Sequence, residues 1–361
     1  MKGTITMKVL LCERVFSGHR KTYLQGLTQI SGVEFFSYAP ENAGVEQERF
    51  FQYNTQVNPK SFIGYYSWIK QIRQIVKQNQ IDVVHFLDGD SLMRFFGLGM
   101  HSLGTQKVII TFHHFFVGFL RKISYRIMSS GKGHISVVHT RTLQEKFREN
   151  HIKNVEHCEY PAFDCIQLEE LNTIDCKEKW GLDTTVPVIG IVGGMAEYKN
   201  IVPFLKVMQK CRKPFQLLIG GRLVDIEEGA IRTEVKSYDN RTILVLRSLS
   251  IEEYREAIMA SDIVYCLYGK GFDGASGPLT DGVCGKKMIL ASNHGSLGQI
   301  VMDYHVGITA DVDDEADILR VVNTALENAM SFEYDEKAEE YRRRIHIEGF
   351  RSTYKAIYER S

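Results

Sequence analysis

Several signals are missing from this chain of 361 residues, and each absence removes a class of function. No apolar run approaches the roughly 20 residues that a membrane-crossing helix needs. The opening MKGTITMKVLLCERVF interrupts its short apolar run with charges, so it reads as a first β-strand and not as a signal peptide. The 7 cysteines (Cys12, Cys158, Cys165, Cys176, Cys211, Cys266 and Cys284) are scattered and contain no CxxC, which suggests neither a zinc site nor a disulfide framework and fits a reducing cytoplasm. The glycines after the first strand lack the GxGxxG spacing, so a nicotinamide or flavin cofactor has little support. Internal repeats and low-complexity tracts are absent. Net charge is also absent, but the zero hides an asymmetry: residues 1–150 hold 19 Lys and Arg against 10 Asp and Glu, and residues 151–361 hold 25 against 34. A basic N-terminal half suits an anionic partner such as a membrane face, a nucleic acid or a phosphorylated substrate.

What is present is the rhythm of parallel α/β layers. Strand-length β-branched runs at Met7–Cys12, Gly32–Tyr38, Ile81–Leu87, Lys107–Phe112 and Ile135–His139 alternate with helical spacing over Ser61–Gln80, Phe115–Met128 and Thr140–Asn150, the last with Thr140 as its N-cap. The polar stretch 40–60 reads as loop. The pattern loosens between His157 and Val186. A second series then brings strands at Val188–Val192, Phe215–Ile219, Thr242–Leu246, Ile263–Leu267 and Lys287–Ala291, with helices at Ile201–Lys210, Ile251–Ala260 and Pro278–Cys284. A further helix covers Asp317–Ala329, and a long charged one closes the chain over Tyr334–Glu359. Two doubly wound halves of similar size make a cleft.

Chemistry-bearing residues collect at strand ends. GFDGASGPLTDGVCGKKMIL, Gly271 to Leu290, puts two acids eight apart, Asp273 and Asp281, around a loop of small residues and a helix opening at Pro278. Amides near Ser276 and Gly277 can then approach an anion at a helix N-terminus, and Asp281, one turn in, can accept from a ribose. Gly193 and Gly194 follow the first strand of the second half, and Lys199 can reach back over them to a diphosphate. His113 and His114 directly follow Lys107–Phe112, the edge at which α/β sheets bind ligands.

With SGHR after the first strand, DVVHF, ITFHH and SVVHT, then GGMAEYKN, LLIGGR and GFDGASGPLTDGVCGKKMILAS, the chain resembles the retaining GT-B glycosyltransferases of the family 4-like, group 1 type over nearly its whole length. The resemblance implies two Rossmann-like domains facing each other across a cleft. Residues 1–160 would bind the acceptor, 161–185 would link, 186–335 would bind the nucleotide sugar, and the helix of 336–361 would pack back toward the N-terminal domain. It also implies roles: Lys199 as the phosphate lysine, Asp273 as the acid beside the transferred sugar, Asp281 as the ribose acid, and His113, ahead of His114, as the histidine near the reacting sugar. Gly18, Gly193, Gly194, Ser276 and Gly277 would complete the donor site. The chain departs from the family at Gly194, where an arginine is expected, so Arg222 or Arg247 would have to supply that charge. Both family glutamates are aspartates here, each withdrawing its carboxylate by roughly 1 to 1.5 Å on ordinary bond lengths.

The expected reaction is hexosyl transfer with retention from a nucleoside-diphosphate sugar to a glycan, a lipid-linked or another acceptor, in polysaccharide or glycoconjugate synthesis. No resident cofactor is expected, and no metal, because no DxD pair stands where a metal would bridge the phosphates. No nucleic acid partner is expected either. Two other readings compete: a catalytically impaired GT-B protein that binds a glycan or a partner, and an epimerase or phosphorylase on the same architecture. Phe116, Phe119, Leu120, Ile123 and Ile127 recur at helical spacing beside Arg121, Lys122, Arg126 and Lys132, as in an interfacial helix. The same stripe would serve a helix packed on its own sheet. The first alternative places a cytoplasmic protein peripherally on the inner face of a membrane.

Overall fold

The computed structural model describes residues 6–16, 20–54, 61–236 and 242–360; Gly18, expected at the donor site, lies outside them. The chain forms two compact units, residues 1–159 with 347–361, and residues 160–346.

The first unit is built on a parallel sheet of β1 (Met7–Cys12), β2 (Val33–Ala39), β3 (Phe50–Gln52), β4 (Val83–Phe86), β5 (Lys107–Phe112), β6 (His134–Val138) and β7 (Val155–His157), in the order 3-2-1-4-5-6-7. Runs such as VVHF and KVIITF are buried almost throughout because crossover helices cover both faces. Ser61 caps the helix Phe62–Asn79 by accepting from the Gly64 amide, and Thr140 caps Arg141–Glu149 by accepting from Leu143, as its sequence predicts. The helix expected from Phe115 begins at Phe119, because Gly118 sits at φ +135° immediately before it. Stretch 40–60 is not all loop: β3 adds an edge strand there, paired to β2 from Ser37 to Ala39.

The terminal helix is broken where the sequence reads as continuous. His346, at φ −61° and ψ 146°, separates Glu336–Ile345 from Ile347–Glu359, and the first piece belongs to the second unit while the last belongs to the first. The Ala162 amide donates to the Ile345 carbonyl at 2.9 Å and so holds the break. The last helix sinks Tyr354 and Tyr358 into the first unit. Their hydroxyls join Tyr23, Thr111 and His85 in a buried chain of hydrogen bonds from 2.5 to 3.0 Å, which satisfies polar groups that no water reaches.

The second unit holds β8 (Val188–Val192), β9 (Gln216–Gly220), β10 (Thr242–Val245), β11 (Ile263–Cys266), β12 (Met288–Ser292) and β13 (Gly307–Ala310), all parallel, in the order 10-9-8-11-12-13. Strand order reverses between β8 and β11, so their carboxyl ends diverge into the crevice where doubly wound sheets take ligands. Residues 161–185 contain two short helices, Cys165–Glu169 and Thr173–Lys179, the second capped by Asn172. One expectation is corrected: Cys165 and Cys284 form a disulfide, while Cys12, Cys158, Cys176, Cys211 and Cys266 are buried thiols outside it. The pair is 119 residues apart, and only folding brings the end of the helix Gly277–Cys284 to the start of the unit.

Candidate active site

The crevice between β8 and β11 is assembled from three glycines, a buried lysine and a helix N-terminus. Leaving β8, Gly193 takes φ +96°, a conformation that L side chains rarely adopt. Its amide donates to Gly220 O at 2.9 Å, and Gly221 approaches so closely that a Cβ there would lie 1.9 Å from Gly193 O. The ladder continues as Met195 donates to Arg222 O and Val224 to Met195 O, at 2.8 and 2.9 Å. This brings Arg222 alongside the GGM segment.

A 3₁₀ turn, Glu197–Lys199, then aims Lys199 inward. Tyr265 fixes the turn by donating to Lys199 O at 2.7 Å. Lys199 is only 6% exposed, and its Nζ lies 5.4 Å from the centre of the Tyr268 ring. No acid pairs with it among the described residues. Burial lowers its pKa to about 8. A Cβ built on Gly193 would sit 3.8 Å from Lys199 Nζ, 3.7 Å from Pro278 and 4.0 Å from Tyr254, so the space above Gly193 is the one that all three face.

The helix Gly277–Cys284 points its first turn at this space. Ser276 is its N-cap and also shares a hydrogen bond with the Tyr268 hydroxyl at 3.1 Å. Asp281 is 5% exposed, and its Oδ2 accepts from the Tyr254 hydroxyl at 2.7 Å. Burial raises its pKa to about 7 against the lowering effect of that bond. Asp273 lies by the start of the helix Gly295–Tyr304: its Oδ1 is 3.8 Å from a Cβ built on Gly295, and Ser296 donates to Gly274 O at 3.0 Å.

The structure thus brings together Gly193, Lys199, Ser276, Gly277 and Asp281. Gly194 is adjacent, and a Cβ there would meet Val224 Cγ2 at 3.3 Å, a tight contact that the half-exposed Val224 side chain would have to ease by a few tenths of an ångström. Arg222 is exposed and has no ion pair among the described residues. Arg247 is not available in the same way. Its guanidinium forks onto Glu253 at 2.6 and 2.7 Å, beside a capping box formed by Ser250 and Glu253.

In the first unit, His113 follows β5. Its Nε2 lies 3.1 Å from Leu87 O, and since a carbonyl only accepts, that nitrogen carries the proton and Nδ1 is left as an acceptor. Burial lowers the pKa of this ring to about 4, so the imidazole is neutral at physiological pH. The sheet of this unit reverses order between β1 and β4, and there Arg20 bridges Glu13 at 3.1 Å and Asp88 at 2.8 Å. Asp90 accepts from the amides of His113 and His114, and burial raises its pKa to about 8. Sequence reading missed this acid cluster, as well as Tyr254, Tyr268 and Gly221. Only the Asp88-Gly89-Asp90 triplet at the end of β4 could have signalled it.

Residues 173–345 match the sequence pattern of the family described as Glycosyl transferases group 1. The second unit therefore carries a group 1 glycosyltransferase pattern. No curated protein matches the chain in sequence. In structure it is similar to a glycosyltransferase from Rickettsia africae, at TM-score 0.78 and 15% identity over 98% of both chains. It is similar also to HepE of Anabaena, solved with UDP and glucose, at 0.71 and 11% over 97% of this chain and 98% of that one. A third likeness is to WaaG, a glycosyltransferase involved in lipopolysaccharide biosynthesis, at 0.70 and 13% over 98% and 100%. The fold is GT-B, with two Rossmann-like units. Among the described residues no helix is long and apolar enough to cross a membrane, and no three His, Cys, Asp or Glu are grouped to hold a metal.

Proposed function

We propose that the chain is a retaining glycosyltransferase that moves a hexose from a nucleoside-diphosphate sugar to a glycan or lipid-linked acceptor in cell-surface polysaccharide or glycoconjugate synthesis. The observation that carries this reading is Lys199, a buried ammonium without an acid beside it among the described residues, facing the same space as the positive-φ Gly193 and a helix N-terminus. A buried charge is costly unless an opposite charge meets it. A diphosphate is the partner that the group lacks. HepE with UDP and glucose, and WaaG in lipopolysaccharide biosynthesis, favour a nucleotide-sugar donor and a surface glycan product. The cytoplasm, where such donors are made, is the compartment that the reading takes.

As the bond from the anomeric carbon to the diphosphate breaks, positive charge grows on the sugar and negative charge on the leaving group. Lys199 and the amides of Ser276 and Gly277 stabilise the second, already in place before the charge develops. Arg222, level with Met195, supplies a second cation in place of the arginine missing at 194. Asp281, pre-oriented by Tyr254, takes the ribose, and Asp273 takes the transferred sugar. In the first unit, Nδ1 of His113 accepts from a substrate hydroxyl. No step needs a metal: of the two DxD pairs, Asp88 and Asp90 are held by Arg20 and by backbone amides, and Asp311 and Asp313 lie against Lys270.

One observation favours the impaired, binding-only reading: the hydrogen bond that already occupies Asp281 Oδ2, on a chain whose family arginine is glycine. Donor hydrolysis separates the two. The wild type is expected to release nucleoside diphosphate slowly from a sugar nucleotide without acceptor, and Gly194→Arg, with the exposed Val224 side chain turning aside, to accelerate it by about tenfold, the order of one charge-assisted contact. Nucleotide binding without any release, in either form, would favour the binding module.

A further inference from the structure

One edge of the first unit's sheet exposes more apolar surface than packing explains. The strands are parallel, so each crossover helix starts near their carboxyl edge and runs back to the amino edge. The first turns of Phe62–Asn79 and Phe119–Ser129 therefore lie at the edge where His113 stands. There Ile63 is 81% exposed, Val117 83%, Phe119 78% and Leu120 64%, and Phe62, Tyr66 and Leu98 are each more than half exposed. Residues 93–98 tie the two helices together. Phe95 stacks on Tyr65 at 4.7 Å and meets Phe62 at 5.9 Å, Tyr65 donates to Leu98 O at 3.0 Å, and on the other side Ser124 donates to Met93 O at 3.0 Å. Single exposed apolar residues need no account, but a group of this extent at one edge does.

The charges beside it are basic. Residues 61–130 contain 8 Lys and Arg, no Glu, and 3 Asp, although Lys77, Lys107 and Arg126 belong to the opposite edge. None of the three aspartates faces out to balance these cations: Asp82 accepts from the Lys8 amide, Asp88 pairs with Arg20, and Asp90 accepts from the amides after β5. Arg94 and Arg121 are exposed beside this apolar surface, with Lys122 half-buried next to them, and none has an ion pair among the described residues.

We propose that this edge docks on an anionic phospholipid bilayer, with Ile63, Val117, Phe119 and Leu120 entering the interface and Arg94, Arg121 and Lys122 meeting lipid phosphates. Apolar side chains flanked by cations that no acid pairs among the described residues match that surface in both respects. Docking would present a lipid-linked acceptor to the edge that carries His113, so the proposal deepens the glycosyltransferase reading and rests on it for the acceptor alone.

The test is sedimentation of the full chain with vesicles of phosphatidylglycerol and phosphatidylcholine, and with phosphatidylcholine vesicles, at low and raised salt. Binding to the anionic vesicles that weakens with salt is expected. Ile63→Ser with Phe119→Ser should reduce it by about tenfold, and Arg121→Glu with Lys122→Glu by about fivefold for each cation removed. UDP affinity should be unchanged in both variants, since they lie in the other unit from Lys199. Failure of the wild type to bind any of UDP, GDP and ADP would count against the glycosyltransferase reading and not against docking. No binding to anionic vesicles at low salt, equal binding to phosphatidylcholine, or undiminished binding by both double variants would overturn the proposal.

Discussion

Lys199→Met is expected to lower sugar-donor turnover by about a hundredfold or more, the scale of losing one preorganised charge at a developing oxyanion, while leaving the melting temperature unchanged or raised. The two effects have one cause. Lys199 is buried against Tyr268 with no acid beside it among the described residues, so the folded protein tolerates the charge without gaining from it, and burial has already brought its pKa down to about 8. Methionine fills similar volume with no charge to desolvate. The ammonium matters most when the leaving diphosphate gains charge, so the loss should fall on kcat more than on donor affinity. Steady-state donor hydrolysis with thermal unfolding checks both. A variant that keeps its turnover at saturating donor, or that unfolds, would show Lys199 to be structural.

Gly221→Ala should have the largest effect on folding. Gly221 sits at φ +154°, and a Cβ there would fall 1.9 Å from the carbonyl oxygen of Gly193, a backbone atom that cannot swing aside. Relief requires the Gly193 turn to move, and with it the space shared by Lys199, Pro278 and Tyr254. A loss of about 3 kcal/mol or more, the range of backbone clashes in a packed core, and loss of nucleotide binding should appear together. Gly229→Ala is the control, because nothing lies within 4 Å of a Cβ at that position in the helix Glu228–Val235. Urea unfolding that leaves Gly221→Ala as stable as Gly229→Ala would show that the turn is not held as described.

The sequence makes the layered architecture legible because the strands flanking each switch point are continuous apolar runs, VIGIV and IVYC among them, buried on both faces. The strands it hides are β3, β7 and β13. These are short edge strands whose FFQ, VEH and GITA carry no alternation or sustained run to mark them. The break at His346 has neither glycine nor proline, and arises because the chain passes from one unit to the other there.

At the site, Gly193 and Lys199 are readable because a glycine pair at a strand end has a mechanical reason to exist. Tyr254 is not, since its bond to Asp281 spans 27 residues and two helices. Arg247 shows the opposite limit. Its charge is visible, yet whether it is free depends on Glu253, which the capping box turns toward it.

Whether Lys199 awaits a diphosphate is decided by calorimetric titration of UDP into the full chain at pH 8 in buffers of different ionisation enthalpy. At that pH a lysine with a pKa of about 8 is half neutral, and an arriving diphosphate recharges it. Uptake of about half a proton per nucleotide bound is expected, and none in Lys199→Arg, whose guanidinium is charged throughout. Binding without proton uptake, or the same uptake in Lys199→Arg, would contradict that role.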